Sequence, residues 1–213
     1  MLSKPEMVGL AVGLYLLTKK TAAAVAAEVK AIDPALLARA NQAHAHDPWF
    51  AVLTEDLHPP LPEDIAAAVC RWIGIESSGD PLAVSSQGER GLTQITHTSA
   101  ITEKALTQAE WDALISPTTS PQDQARLAWK IVEWCWDRAK KYVAGGHARD
   151  AIDQLWYAKM YHQAPVEVRD GKMTGNAAAD SARLERAWAS DAKKIRHLHA
   201  ANVVAWNSVL PPQ

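Results

Sequence analysis

The sequence predicts a fold dominated by α-helices, formally α+β because of one short irregular hairpin, and three observations carry this. Apolar residues recur at helical spacing along most of the chain, caps and first-turn prolines stand where those patterns begin, and one glycine-punctuated polar loop offers room for extended backbone. At 213 residues with a 48% hydrophobic fraction, the chain suffices for one domain with a substantial core. No internal repeat is visible.

Residues 7–17 are apolar and follow Lys4, but they are too short for an ordinary membrane span and no cleavage site follows. Pro5 and Glu6 in front of them make ordinary secretion less convincing. The preferred reading is a buried or self-associating helix, extended by the Ala-rich residues 21–32; membrane contact and signal-like targeting are the alternatives. Asp33 and Pro34 fit a new helical start. Residues 41–62 then shift to His, Asp and Pro, interrupted by Trp49, Phe50, Val52 and Leu53, as in a connection with one short packed segment. This divides the chain into an N-terminal helical assembly or attachment segment (1–60), a core (61–165), and a turn with a C-terminal helix packed on that core (166–213).

The core begins at Pro62, Glu63 and Asp64, a first-turn proline followed by acids where free amides favour them. Ile65, Val69, Trp72, Ile73 and Glu76 share one side of the helix that follows. Glu76 thus ends an apolar stripe, whereas an ordinary surface glutamate lies on the charged face. Gly79 and Pro81 stop this helix, and Gly88 and Gly91 punctuate the loop before Leu92 and Ile95, where the hairpin is expected. Ser120, Pro121 and Asp123 start the next helix, with Leu127, Ile131, Cys135, Ala139 and Tyr142 as its stripe and Gly145 and Gly146 at its end. Ile152, Leu155, Trp156 and Met160 support a helix over residues 148–162. Asp170 and Gly171 mark a turn, and Leu184, Trp188, Ile195 and Leu198 predict one long final helix.

Charge and composition exclude some functions. Twenty-two basic residues against 24 acidic ones leave a formal charge of -2, with no global attraction to nucleic acid or anionic membranes, and no nucleic-acid partner is expected. Cys70 and Cys135 read as small buried hydrophobes, with a single bridge between them as the alternative. His44, His46 and Asp47 lack a complete metal-site pattern, and no phosphate-binding glycine motif is present, so no metal and no cofactor are expected.

Residues 76–100 read ESSGDPLAVSSQGERGLTQITHTSA. This segment resembles the catalytic region of lytic transglycosylases with the lysozyme-like SLT fold. The resemblance implies a lysozyme-like catalytic domain that cleaves between N-acetylmuramic acid and N-acetylglucosamine in peptidoglycan, often leaving a 1,6-anhydro sugar. It places the catalytic glutamate at Glu76, the following serine at Ser77 and an active-site serine at Ser85. Pro81, Ala83, Gly88, Gly91 and Leu92 continue the motif, and Gln94 and Ile95 match its Gln-apolar pair. Thr93 stands where the family commonly has methionine, and His97 where it has proline. The family's tyrosine near the glutamate falls best on Tyr157, in LWYAKMY, with Tyr161 second; the Asn and Gly of that signature are absent here.

The chemistry needs one acid. Cleavage requires a proton on the departing sugar oxygen, which a glutamic acid in a weakly hydrated cleft retains near neutral pH. The same carboxylate then takes the proton of the muramic O6 hydroxyl as that oxygen attacks C1, the internal attack the family implies, in place of the paired carboxylates of most glycosidases. Ser85 and Gln94 are expected to support Glu76 or the glycan, against a reading as loop caps, and Ser77 and Tyr157 to position substrate. Nine tryptophans make Trp111 and Trp156 candidate cleft walls, together with Thr93 and Tyr161, although core packing is the preferred role for each tryptophan.

Two other readings stay open: a lysozyme-like hydrolase in which Asp80 or Glu89 activates water, and a non-catalytic peptidoglycan-binding or virion structural protein. Expected partners are peptidoglycan strands and, through the N-terminal helix, virion or cell-envelope assembly proteins. The expected setting is a phage virion or the bacterial periplasm and envelope, with the virion preferred.

Overall fold

The computed structural model describes residues 47–205, the last three as backbone only. The expected assembly helix and the His44–His46 run lie outside the described residues. Helix dominates and strand is almost absent.

The helices are α1 (Pro48–Ala51), α2 (Glu63–Ser77), α3 (Gln108–Ala113), α4 (Pro121–Ala139), α5 (Ala151–Gln163), α6 (Pro165–Asp170), α7 (Ala177–Trp188) and α8 (Ala192–Ala205). Local chemistry explains their starts. Asp47 caps α1, Thr107 and Glu110 form a reciprocal capping box on α3, and Ser120 with Pro121 opens α4. Helix α2 ends at Ser78, which turns left-handed at φ 55° and returns its amide to the Gly74 carbonyl.

Helix α5 is the centre of the molecule. Residues 155–160 are buried without interruption, so this helix is covered all round, by α2, α4, α6, α7 and α8. A polar side chain within residues 155–160 has no water to turn to. That condition produces the site.

The hairpin takes the form of isolated antiparallel bridges, Val84 with Arg90 and Arg90 with Ile95. Gly91 allows it: its φ is +74°, and a Cβ there would stand 3.1 Å from the Leu114 side chain.

The structure corrects several expectations. The final helix is two, α7 and α8, because Asp191 intervenes and its carboxylate accepts the amides of Lys193 and Lys194. Pro165 opens an unforeseen short helix, α6. Tyr142 leaves the α4 stripe, since the chain tightens into a 3-10 turn over Lys140–Tyr142 and Val143 takes the buried place. Described residues on both sides of 61 and of 166 pack into one hydrophobic cluster. Trp49, Leu53 and Leu57 share one cluster with Leu198 and Ala201, and the Trp49 indole donates to the Gly79 carbonyl at 2.9 Å. Cys70 and Cys135 are both buried and free.

Candidate active site

Glu76 lies on the last turn of α2 with 14% of its side chain exposed. Its partners all come from α5. The Lys159 ammonium, itself fully buried, pairs with Glu76 Oε1; Gln163 Nε2 donates to the same oxygen at 2.9 Å, and His162 Nδ1 stands 3.7 Å away. The Lys159 Nζ also lies 4.9 Å from the centre of the Trp72 ring, whose other neighbour is the His162 imidazole, edge-on at 5.3 Å. Residues 159, 162 and 163 recur at three and four, one face of a helix, so α5 presents all three to the end of α2.

These neighbours set the charge. Burial would raise the Glu76 carboxyl, but the Lys159 charge, His162 and the hydrogen bonds from Lys159 and Gln163 outweigh it and hold the group below its ordinary range. Burial pulls the Lys159 ammonium down, against the attraction of Glu76. Burial likewise lowers His162 to about 4, so its ring is neutral near pH 7. Glu76 therefore rests as a carboxylate, the opposite of the protonated acid expected from a merely dry cleft.

The loop residues divide. Gln94 is nearly buried at φ 52°, and its amide nitrogen donates to the carbonyls of Ala83 (3.1 Å) and Gly91 (2.8 Å). Those bonds tie the hairpin to itself and hold a backbone conformation rare outside glycine. The hydroxyl of Ser85 accepts the amides of Gln87 and Glu89, both at 3.2 Å, as a turn cap. Ser77 donates to the Ile73 carbonyl one turn back along α2. Thr93 is buried with its hydroxyl unpartnered. The backbone of Thr93 and Gln94 lies close enough to the His162 ring to favour its charged form, against the larger effect of burial, which puts the motif loop beside α5. The motif residues thus build the loop beside Glu76, and of them Glu89 shares its cleft.

Trp111 and Trp156 take the core role preferred for them, and Tyr157 and Tyr161 stand outside the cleft. Tyr157 has no exposed surface; its hydroxyl donates to Asp180 at 2.5 Å and accepts the Gly175 amide at 3.1 Å, so it cannot touch a sugar in this structure. Trp156 is equally buried, with its indole donating to Asn202 at 3.1 Å. Trp111 packs under the Arg90 guanidinium at 4.5 Å and edge-on to His97. Tyr161 is half-buried against Trp134. Each is held by the core or its margin, and none lines the cleft beside Glu76.

That cleft encloses about 510 Å³ between Glu76, Glu89, His162, Gln163, Lys193, Arg196, His197 and Ala200. A separate surface hollow, lined by residues of the 141–144 and 172–174 turns, contains none of the candidate residues. Sequence reasoning missed Lys159, His162, Gln163 and the α8 cations. A signal existed for the first three: polar residues at three-and-four spacing inside an otherwise apolar helix. Asp80 spends its carboxylate on the Leu82 amide. The chain matches no family model, no curated protein and no solved structure.

Proposed function

We propose that the chain is a peptidoglycan lytic transglycosylase with a lysozyme-like catalytic domain, in which Glu76 is the acid and then the base. The observation that supports this most is the placement of Glu76: the one acid at the end of an apolar helix opens into a cleft bounded by the motif loop.

The resting ion pair dictates how the proton is supplied. A glycan filling the cleft displaces water, and a dry environment penalises separated charges more than a neutral pair. The proton then moves along the existing hydrogen bond from Lys159 Nζ to Glu76 Oε1. Glu76 gives it to the glycosidic oxygen as the C1–O bond breaks, and the regenerated carboxylate stabilises the positive charge on the muramic ring. The muramic O6 closes on C1 and passes its proton to Glu76, which returns it to Lys159 when product leaves and water re-enters. No water is consumed, and the product carries an anhydro end. Gln163 keeps the carboxylate oriented throughout.

Two observations favour other readings. Glu89 lines the same cleft, which suits a hydrolase with a water-activating base, and the Lys159 pair suits a cleft that binds glycan through a fixed carboxylate without cutting it. Purified peptidoglycan separates all three. Parent protein should release anhydromuramyl ends, identified by mass spectrometry, whereas free reducing ends indicate hydrolysis and binding without product indicates recognition alone. Glu76→Gln in combination with Lys159→Met, a neutral pair of similar volume, should fold and release nothing. Near-parental cleavage by that folded variant removes Glu76 from the role.

A further inference from the structure

The cleft is lined unevenly. Its acids come from α2 and the motif loop, while Lys193, Arg196 and His197 all come from α8. At 100° per residue, positions 193, 196 and 197 fall within one 100°-wide arc of the helix, and position 200 falls inside that arc. Position 200 is Ala200, the smallest side chain on that side of the cleft, so the three basic residues border open volume beside it.

Nothing among the described residues already fills it. Lys193, Arg196 and His197 form no ion pair there. Of the nearby acids, Glu76 is paired with Lys159, Asp191 accepts two backbone amides and Glu185 faces His199 at 3.7 Å; Glu89 shares the cleft and forms no ion pair with the three cations. Lys193 and Arg196 are exposed and His197 is half-buried, so the heads are free to converge on a ligand while their repulsion is relieved by it. Arginine supplies the fork geometry a carboxylate fits.

We propose that Lys193, Arg196 and His197 form a carboxylate-binding subsite beside Glu76, which selects glycan strands carrying an acidic substituent on the sugar next to the scissile bond. This rests on the glycan-cleaving reading. In peptidoglycan the carboxylate has two sources, the lactyl acid of a peptide-free muramic residue or the acids of an attached peptide.

The test uses full-length protein with Glu76→Gln and Lys159→Met as a non-cleaving background. Three labelled probes are titrated: peptide-free muramic-containing tetrasaccharide, the same tetrasaccharide bearing its peptides, and neutral chitotetraose. Adding Lys193→Ala and Arg196→Ala should weaken binding of an acidic probe about tenfold or more and leave chitotetraose unchanged. The acidic probe that loses more identifies the source. Equal loss on all three probes, no loss, or no binding of either acidic probe overturns the subsite. Failure of the two proposals is separable. If the parent binds acidic strands through these residues and leaves them uncut, the subsite stands and the cleavage reading falls; if the parent cuts strands and the α8 variant loses nothing selectively, the reverse holds.

Discussion

Helix α5 carries two buried polar networks, and they differ in access to solvent. Toward α2 it presents Lys159, His162 and Gln163 to Glu76, whose side chain reaches the cleft; toward α7 it presents Tyr157 to Asp180 and the Gly175 amide, where nothing is open to solvent. The Tyr157 network satisfies the polar groups that the core would otherwise penalise; the Glu76 network satisfies Lys159 and Gln163 but leaves His162 Nδ1 and Trp72 Nε1 without a hydrogen-bond partner. The Tyr157 network is closed: every group has its partner and no ligand can enter. The Glu76 network is open on one side, toward the cleft. Access, rather than polarity or burial, separates the candidate site from a strut.

Breaking each network in turn sharpens the contrast, beginning with the largest effect. Glu76→Ala strands the Lys159 charge in the core and should cost about 3–5 kcal/mol, read from urea denaturation, together with all cleavage. Glu76→Gln alone should lose part of that stability, and adding Lys159→Met should restore most of it. A single Gln variant as stable as the parent would show that Lys159 does not depend on Glu76. If the double variant is no more stable than the single one, the pair is not coupled.

The next effect is in pH. Folding disfavours the proton on His162, whose pKa falls to about 4, so the unfolded chain takes that proton first as pH drops. The His162 contribution should be level above about 6.5, fall by roughly 3 kcal/mol between there and about 4, and level off again, while the raised carboxyls of Glu133 (about 7) and Asp153 (about 6) act in the opposite direction, so the effect is read as the difference between parent and variant. His162→Asn should flatten that window in a series of denaturation curves. Glu76 acts lower in pH and in the same direction. Its depressed carboxyl contributes stability that is present above its ordinary value and lost as pH falls through the folded one. Lys159→Met leaves Glu76 as the proton's only carrier, so the alkaline limb of the cleavage rate should move down in pH, from loss of the Lys159 proton to loss of the Glu76 proton; an unmoved limb would detach Lys159 from the acid.

Tyr157→Phe tests the closed network. It removes the hydroxyl between the Asp180 carboxylate and the Gly175 amide and should cost about 1–3 kcal/mol, with cleavage per folded molecule unchanged. A selective loss of rate would return Tyr157 to the site. Gly91→Ala should have the smallest effect, about 1 kcal/mol by thermal melting, from its left-handed φ and its contact with Leu114.

The sequence by itself determined the helical class, the starts of α2 and α4, the stripe that ends in Glu76 and the loop that follows. These depend on neighbours within a turn: a cap bonds an amide two or three residues on, and a stripe is a spacing. Glu76 was legible because a charged residue at the end of an apolar stripe contradicts the local rule. Tertiary structure decided its protonation state. Lys159 is 83 residues away along the chain, and only the packing of α5 against α2 makes the two a pair. The same packing turned Tyr157 inward and brought the α8 cations to the cleft. On a helix covered on every side, periodicity has no outer face to report, so which neighbour each polar residue meets follows from how the helices assemble.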